Sequence, residues 1–194
     1  SAGRIVLNSF YDAVFNPSTV PRFLHTVMAS WMTSAVMIAG IAGYYVRKGL
    51  HGEAARRMLT VGVVLFAVTP LLQLGFGHMH AVEVIERQPV KIAAIEGQYE
   101  TLRGAPLYAL GWVDEKNEKT YGLYLPKMLS FLYNFDFESE IKGLRDFPRD
   151  HWPPVNLVFQ AYHIMVGVGM FLIAVGLLGA WLLWRGKLHS TRWF

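Results

Sequence analysis

Between Gln88 and Gly97 the chain reads Gln-Pro-Val-Lys-Ile-Ala-Ala-Ile-Glu-Gly, which places a base, Lys91, five residues before an acid, Glu96. The stretch follows directly on a long apolar segment, so both charges are expected where a membrane meets water. Pro89 locks its own φ and biases Gln88 toward an extended backbone, Gly97 relaxes the far end, and good helix formers lie between them. An acid and a base beside one fixed turn are the ingredients of proton transfer. By local pattern alone the segment reads first as an interfacial helix whose two charges snorkel to water, and the chemical reading rests on the rest of the chain.

A second pair lies inside apolar segments. His25 follows Pro17 by eight residues, and Met165 follows Pro154 by eleven. At about 1.5 Å per residue they sit roughly 12 and 17 Å below their helix starts. Both helices begin on the same side, so the depths are comparable. A His and a Met that approach one point from two helices can hold a six-coordinate haem iron. Each alone also suits a blander role, the His as a helix-to-helix hydrogen bonder and the Met as packing. His78 and His80 are two residues apart and point to different faces, so they make no chelate. His163, two before Met165, likewise faces away from it.

The elements that position these residues follow from composition. The chain has 194 residues, 53% hydrophobic and 16% charged, too apolar for an ordinary soluble domain. The lack of cysteine excludes disulfides, thiolate metal sites and covalent haem attachment. The formal charge of +4 is spread over segment ends and forms no exposed stripe, so no nucleic-acid partner is expected. Phe23 to Val46, Met58 to Val82 and Pro153 to Trp184 contain no Asp, Glu, Lys or Arg. They predict an all-α membrane protein with three transmembrane helices, over about 21–47, 56–82 and 153–185. Residues 1–20 form no intact signal peptide, and their mixed apolar character predicts a short interfacial segment in contact with membrane lipid. Asn16-Pro17-Ser18 resembles a helix start. Small residues at Ala35, Ala39 and Gly43, and at Gly176 and Ala180, have the spacing that lets membrane helices approach closely.

Charge sets the orientation. Arg47, Lys48, Arg56 and Arg57 between the first two spans, and Arg185, Lys187 and Arg192 in the tail, belong in the cytoplasm. Residues 83–152 carry twelve acids against nine bases and are expected to face outward. A connection of about 70 residues with so many large apolar groups is expected to be a folded cover.

These residues carry a resemblance. The Gln88 to Gly97 stretch is similar to the quinol-loop signature in subunit I of cytochrome bd-type quinol oxidases. Asn16-Pro17, Arg22-Phe-Leu-His-Thr-Val27, Leu125-Pro-Lys-Met-Leu-Ser-Phe131, Gly143-Leu-Arg-Asp-Phe-Pro148, Pro153-Pro154-Val155 and Ile164-Met-Val-Gly167 resemble further family motifs in the same order. The resemblance implies that His25 and Met165 are the axial iron ligands of a low-spin haem b. It implies that Lys91 and Glu96 bind and oxidise quinol, ubiquinol or menaquinol, and that 83–152 is the quinol-binding loop on the periplasmic or extracellular side of the inner (cytoplasmic) membrane. His163 stands where many relatives have Arg near a haem propionate, and is a cofactor-binding candidate on that ground. His78 stands where others carry Asp.

Quinol oxidation releases two electrons and two protons. Glu96 suits a proton acceptor, and Lys91 suits a group that favours the oxygen anion. Five residues span about 140° of helix, so the two more readily flank a ring than pair directly. With both axial positions filled, the haem is a relay and not an oxygen site. Family members are much longer, and no residue here matches their oxygen-reducing site. The chain then reads as a piece of a split subunit, a fragment or a recruited module. Other membrane subunits are expected to supply the further helices and the high-spin haems or another electron acceptor. A structural haem-binding subunit without quinol chemistry is the alternative. A transporter is disfavoured, because the spans hold no carboxylate and no broken-helix repeats. The assignment predicts that His25→Ala abolishes the haem's visible spectrum, whereas Glu96→Gln retains the haem and stops quinol-driven reduction; haem retained in His25→Ala would remove His25 from the ligand set.

Overall fold

Charge-free runs become long helices wherever both the backbone and the side chains can be satisfied without water. The computed structural model describes residues 9–191. Helix α1 spans Phe10–Val14, α2 Thr19–Lys48, α3 Gly52–Arg87, α4 Pro89–Ile95, α5 Met128–Asn134 and α6 Val155–Trp184. Among the described residues three helices, α2, α3 and α6, are long and apolar enough to cross a membrane. They carry the three expected spans, and α3 runs several residues past the expected bound at each end. Its ends are extended by i,i+4 ion pairs, Glu53 with Arg57 and Glu83 with Arg87, which continue a helix beyond its apolar stretch. At 36 residues it is about 54 Å long, well over the roughly 30 Å of a hydrocarbon core.

Contacts divide the chain into two compact units, Ser1–His80 with Met170–Phe194, and Ala81–Gly169, each described by itself. In the first unit, part of the expected interfacial segment 1–20 lies outside the described residues. Its described part includes α1, capped by Ser9, whose hydroxyl accepts the Asp12 N–H, with Phe10, Tyr11 and Phe15 exposed. Asn16 then orders the start of α2, its side-chain oxygen accepting from the Ser18 N–H and hydroxyl. The helix stops at Gly49, which turns left-handed at φ 69°.

Close backbone approach holds the three helices of this unit together. A Cβ on Gly62 would lie 2.7 Å from the Ala39 nitrogen, and one on Gly176 would lie 2.7 Å from the Phe66 carbonyl oxygen. That carbonyl is the one Pro70, four residues on within α3, cannot engage, so α6 approaches closely where the α3 ladder lacks a donor. Ala42, Leu59, Val63, Leu182 and Leu188 are buried together on this seam. Trp31, Met37, Leu72, Phe171 and Trp181 remain exposed on the spans.

In the second unit the connection between α3 and α6 is folded, as expected, and it contains strands the sequence reading did not resolve. Strand β1 (Leu102–Arg103) pairs antiparallel with β4 (Glu140–Ile141), and β2 (Leu107–Asp114) pairs with β3 (Lys119–Leu125) as a hairpin from Leu107↔Leu125 to Asp114↔Lys119. The hairpin turn is tied by Asp114, whose carboxylate accepts from the Lys116 and Asn117 N–H groups and the Asn117 side chain. Two apolar clusters share α4. Ile92 and Ile95 pack with Val84, Ala105, Leu129, Tyr133 and Ile141, while Ala93 and Ala94 pack with Tyr99, Val113, Leu144, Val155 and Phe159. Buried Ser130 accepts the Ala105 N–H and donates to the Ser139 carbonyl, both at 2.8 Å, so the cluster encloses no orphan hydroxyl there.

The exit from α4 demands glycine. Gly97 has φ 64°, and a Cβ there would lie 2.7 Å from the Thr120 hydroxyl and 3.1 Å from Phe159 and Val113. Gly97→Ala is therefore expected to destabilise this unit by about 2 kcal/mol through left-handed strain and overpacking. Faster cleavage of residues 98–142 in limited proteolysis of the membrane-embedded protein, by about tenfold or more, is the measurement; unchanged cleavage would contradict the reading.

Candidate functional site

Local sequence places Glu96 and then buries it. Pro89 occupies the first turn of α4, where its missing N–H costs nothing, and the helix runs about two turns to Glu96 as its C-cap. The Glu96 N–H donates to the Ile92 carbonyl at 3.0 Å, which fixes the backbone. The side chain turns into the unit, 1% exposed, and does not snorkel. Tyr133 from α5, 5% exposed, donates its hydroxyl to Glu96 Oε1 at 3.0 Å. Oε2 is buried with no hydrogen-bond partner. Burial pushes the Glu96 carboxyl up to about 7, and the Tyr133 hydrogen bond opposes that rise by favouring the ionised form.

The segments around Glu96 latch onto its exit. Gln98 donates to the Ala93 carbonyl through its N–H at 2.8 Å and to the Glu100 carbonyl through its amide at 2.6 Å. Thr120 donates to the Gly97 carbonyl at 2.6 Å. The Gly143 to Pro148 motif then docks alongside, Leu144 N–H donating to the Gln98 carbonyl and Arg145 N–H to the Tyr99 carbonyl. Gly143 has no side chain to spare, since a Cβ would lie 2.3 Å from the Glu100 carbonyl carbon. Arg145 bridges Glu100 and Glu118, and Arg149 reaches Glu118 as well. These ion pairs are largely exposed, so they orient the latch more than they stabilise it.

Lys91 lies on the opposite, exposed side of α4, and among the described residues no ion pair joins it to Glu96. The base stands in water and the acid stands in the apolar cluster. The expectation that both lie at the surface holds for Lys91 only.

His25, half-buried on α2, faces the upper part of α3. Gln73 brings its amide nitrogen 3.2 and 3.1 Å from the two ring nitrogens, and the His80 ring lies 5.7 Å away. The Gln73 side-chain oxygen is buried without a partner. Turning that amide over would place the oxygen within reach of whichever ring nitrogen carries the proton. An imidazole nitrogen and a thioether sulfur together are a donor set that fits a low-spin haem iron. Met165, in the other unit, is 52% exposed on α6. His163 has both ring nitrogens 2.8 Å from carbonyl oxygens, those of Phe159 and Tyr108, and its ring stacks on Phe159. It fastens α6 to β2. Tyr133 and Gln73 were not singled out from sequence; Tyr133 lies just past the Leu125 to Phe131 motif, and its partner is 37 residues away.

Three helices long and apolar enough to cross a membrane and a folded, strand-containing connection that buries an acid define a helical membrane protein. The chain belongs to the cytochrome bd terminal oxidase subunit I family, whose profile matches residues 1–194. It is 30% identical over 203 residues to the cytochrome bd ubiquinol oxidase subunit 1 of Bacillus subtilis (strain 168), covering 99% of this chain and 43% of that protein. It is 30% identical over 164 residues to the cytochrome bd-II ubiquinol oxidase subunit 1 of Escherichia coli (strain K12), covering 84% of this chain and 32% of that one. The solved bd oxidase of Geobacillus thermodenitrificans superimposes with a TM-score of 0.83 at 31% identity, over 95% of this chain and 43% of the other. The chain spans less than half the length of these relatives.

A carboxyl pushed up from 4.5 to about 7 binds its proton more tightly when folded than when unfolded. Its contribution to stability is complete below pH 4.5 and is lost as pH rises through about 7. Between pH 5 and 8 the loop unit is expected to weaken by about 3 kcal/mol on this account, and Glu96→Gln should flatten that slope. Glu118, held below the usual carboxylate range first by the Arg145 hydrogen bond, acts with the opposite sign and only at more acid pH. Proteolytic susceptibility of residues 98–142 against pH measures the effect; the same slope in Glu96→Gln would contradict it.

Proposed function

We propose that this chain is the quinol-oxidising, haem b-binding electron-transfer module of a cytochrome bd-type respiratory oxidase. The observation that carries the reading is Glu96: a buried carboxyl, poised near neutrality, with one oxygen held by Tyr133 and the other unengaged, inside the Gln88 to Gly97 signature. A group half ionised near the working pH is the best compromise between accepting a proton and releasing it again. Lys91, exposed on the same short helix, is assigned to the quinol's oxygen, where its charge favours the anion left when a proton departs. Apolar residues around Glu96 exclude water, which strengthens the electrostatic effect of each group.

His25 and Met165 are assigned as the axial ligands, and the donor chemistry of the two side chains supports it. These two side chains would hold the haem, which when bound would supply one-electron chemistry. Gln73 supports the His25 ring, and His163 steadies the part of α6 that carries Met165. The basic ends of the spans support an orientation in the cytoplasmic membrane with the cover on the periplasmic or extracellular side. The large apolar side chains left exposed on α2, α3 and α6 are assigned to lipid and to helices of further subunits, which would supply the high-spin haems or another acceptor.

Purified with its co-purifying subunits, the protein is expected to give a reduced-minus-oxidised spectrum containing a low-spin haem b band. Changing Lys91 and Glu96 together, to Ala and Gln, should slow quinol-driven reduction of that band by about a hundredfold while dithionite still reduces it fully. Wild-type turnover in the double variant would favour a structural haem-binding subunit without quinol chemistry, and absence of any haem would remove the ligand assignment.

A further inference from the structure

We propose that Tyr133 is the positioning residue for the Glu96 proton acceptor: by donating to Oε1 it confines proton exchange with the quinol to Oε2. This rests on the quinol reading of Glu96 and adds a residue that the signature does not contain. The two side chains come from different elements, Tyr133 from α5 and Glu96 from the end of α4, and both are buried. The Tyr133 ring is packed in the cluster of Leu129, Ile141, Ile92 and Ile95, and its hydroxyl meets two groups, Glu96 and the Tyr162 hydroxyl, of which the carboxylate is the stronger acceptor. A carboxylate has two oxygens able to accept, and only one is engaged here.

The hydrogen bond has the same direction in both protonation states. When Glu96 is ionised, Tyr133 donates to Oε1. When Glu96 carries a proton, a proton on Oε1 would collide with the Tyr133 donor, so it resides on Oε2 and Oε1 still accepts. Tyr133 does not relay the proton itself, because burial first and the Glu96 charge second push its hydroxyl far above the ordinary phenol range. Around the carboxyl, the titratable groups coupled to it are Tyr133 from α5 and Tyr162 from α6; among the described residues no Lys, Arg or His is one of them, and Lys91 on its own helix is exposed. In the step itself the quinol O–H bond breaks, the proton bonds to Oε2, and the electron leaves to a one-electron acceptor of the respiratory complex.

The test uses the whole complex as purified. Infrared difference spectra titrated with pH follow the protonated-carboxyl C=O band of Glu96, identified by its loss in Glu96→Gln. Tyr133→Phe keeps the ring and removes the donor to the ionised form, so the band's midpoint should rise by about one pH unit. The acid limb of quinol-driven haem reduction should move up with it, with kcat at pH 7 falling several-fold and KM nearly constant. A fluorinated tyrosine at position 133, which preserves shape and strengthens the donor, should move the midpoint the other way, and it serves as the test should Tyr133→Phe not assemble. A midpoint that stays in place under both changes would overturn the proposal and leave Tyr133 as packing. If Glu96→Gln itself leaves quinol-driven reduction intact, the quinol reading falls, whatever the band does. If Glu96→Gln stops reduction while the Tyr133 variants leave the midpoint unmoved, only the positioning role falls.

Discussion

A carboxyl held out of water constrains every part of the loop unit. Taking an ionised carboxylate into an apolar cluster without partners costs more than any nearby packing term returns, so such a group either stays protonated or finds a donor. Glu96 does some of each, with a raised proton affinity and one hydrogen bond from Tyr133. The fold around it follows from that requirement. Pro89 starts α4 so that residue 96 falls at its end, Gly97 turns the chain away at once, and Gly143 lets the next segment close over the turn at backbone distance. The strands matter mainly as walls: Thr120 on β3 ties the Gly97 carbonyl, and Val113 on β2 fills the space beside it.

Where apolar side chains are not bound by a drive out of water, closeness is secured differently. In the helical unit the contacts that hold α2, α3 and α6 are those of small residues, Ala39 against Gly62 and Gly176 against the carbonyl that Pro70 leaves without a donor. Larger side chains divide between this seam, where Leu59, Val63, Leu182 and Leu188 are buried, and the outer faces, where Trp31, Leu72 and Phe171 are exposed. His25 is a polar group in this setting, and Gln73 on α3 reaches its ring at hydrogen-bond distance.

Much of this was legible in the chain because it depends on local chemistry. Absence of charge marked the three spans, Pro89 and Gly97 marked the bounds of α4, and the apolar content of 83–152 marked a folded cover. The hairpin was harder to see. Alternation along Leu107 to Asp114 and Lys119 to Leu125 is blurred by Gly111 and Gly122 and by side chains exposed on both faces, and the turn signal is a run of charged residues rather than Asn-Gly. Burial of Glu96 was illegible for a different reason. A charge at the end of a short interfacial helix has the same local pattern whether it snorkels or folds inward, and the outcome is set by Tyr133, 37 residues later. The extra length of α3 escaped an apolar count because salt-bridged turns, Glu83 with Arg87 and Glu53 with Arg57, extend it.

The five residues between Lys91 and Glu96 then acquire a physical meaning. A single exposed pair of opposite charges would largely neutralise itself and be screened by salt. Dividing the pair between water and an apolar cluster avoids that neutralisation, with Lys91 exposed and the Glu96 carboxyl buried and raised in proton affinity. A short helix is the simplest device for this division. Its exposed face presents the base, its four residues Ile92 to Ile95 are all buried, and its terminus aims the acid inward. Lengthening α4 by one residue would turn the terminal side chain by about 100° and carry the acid out of reach of Tyr133, so the spacing in the signature is fixed by burial of the acid and not by contact between the two charges.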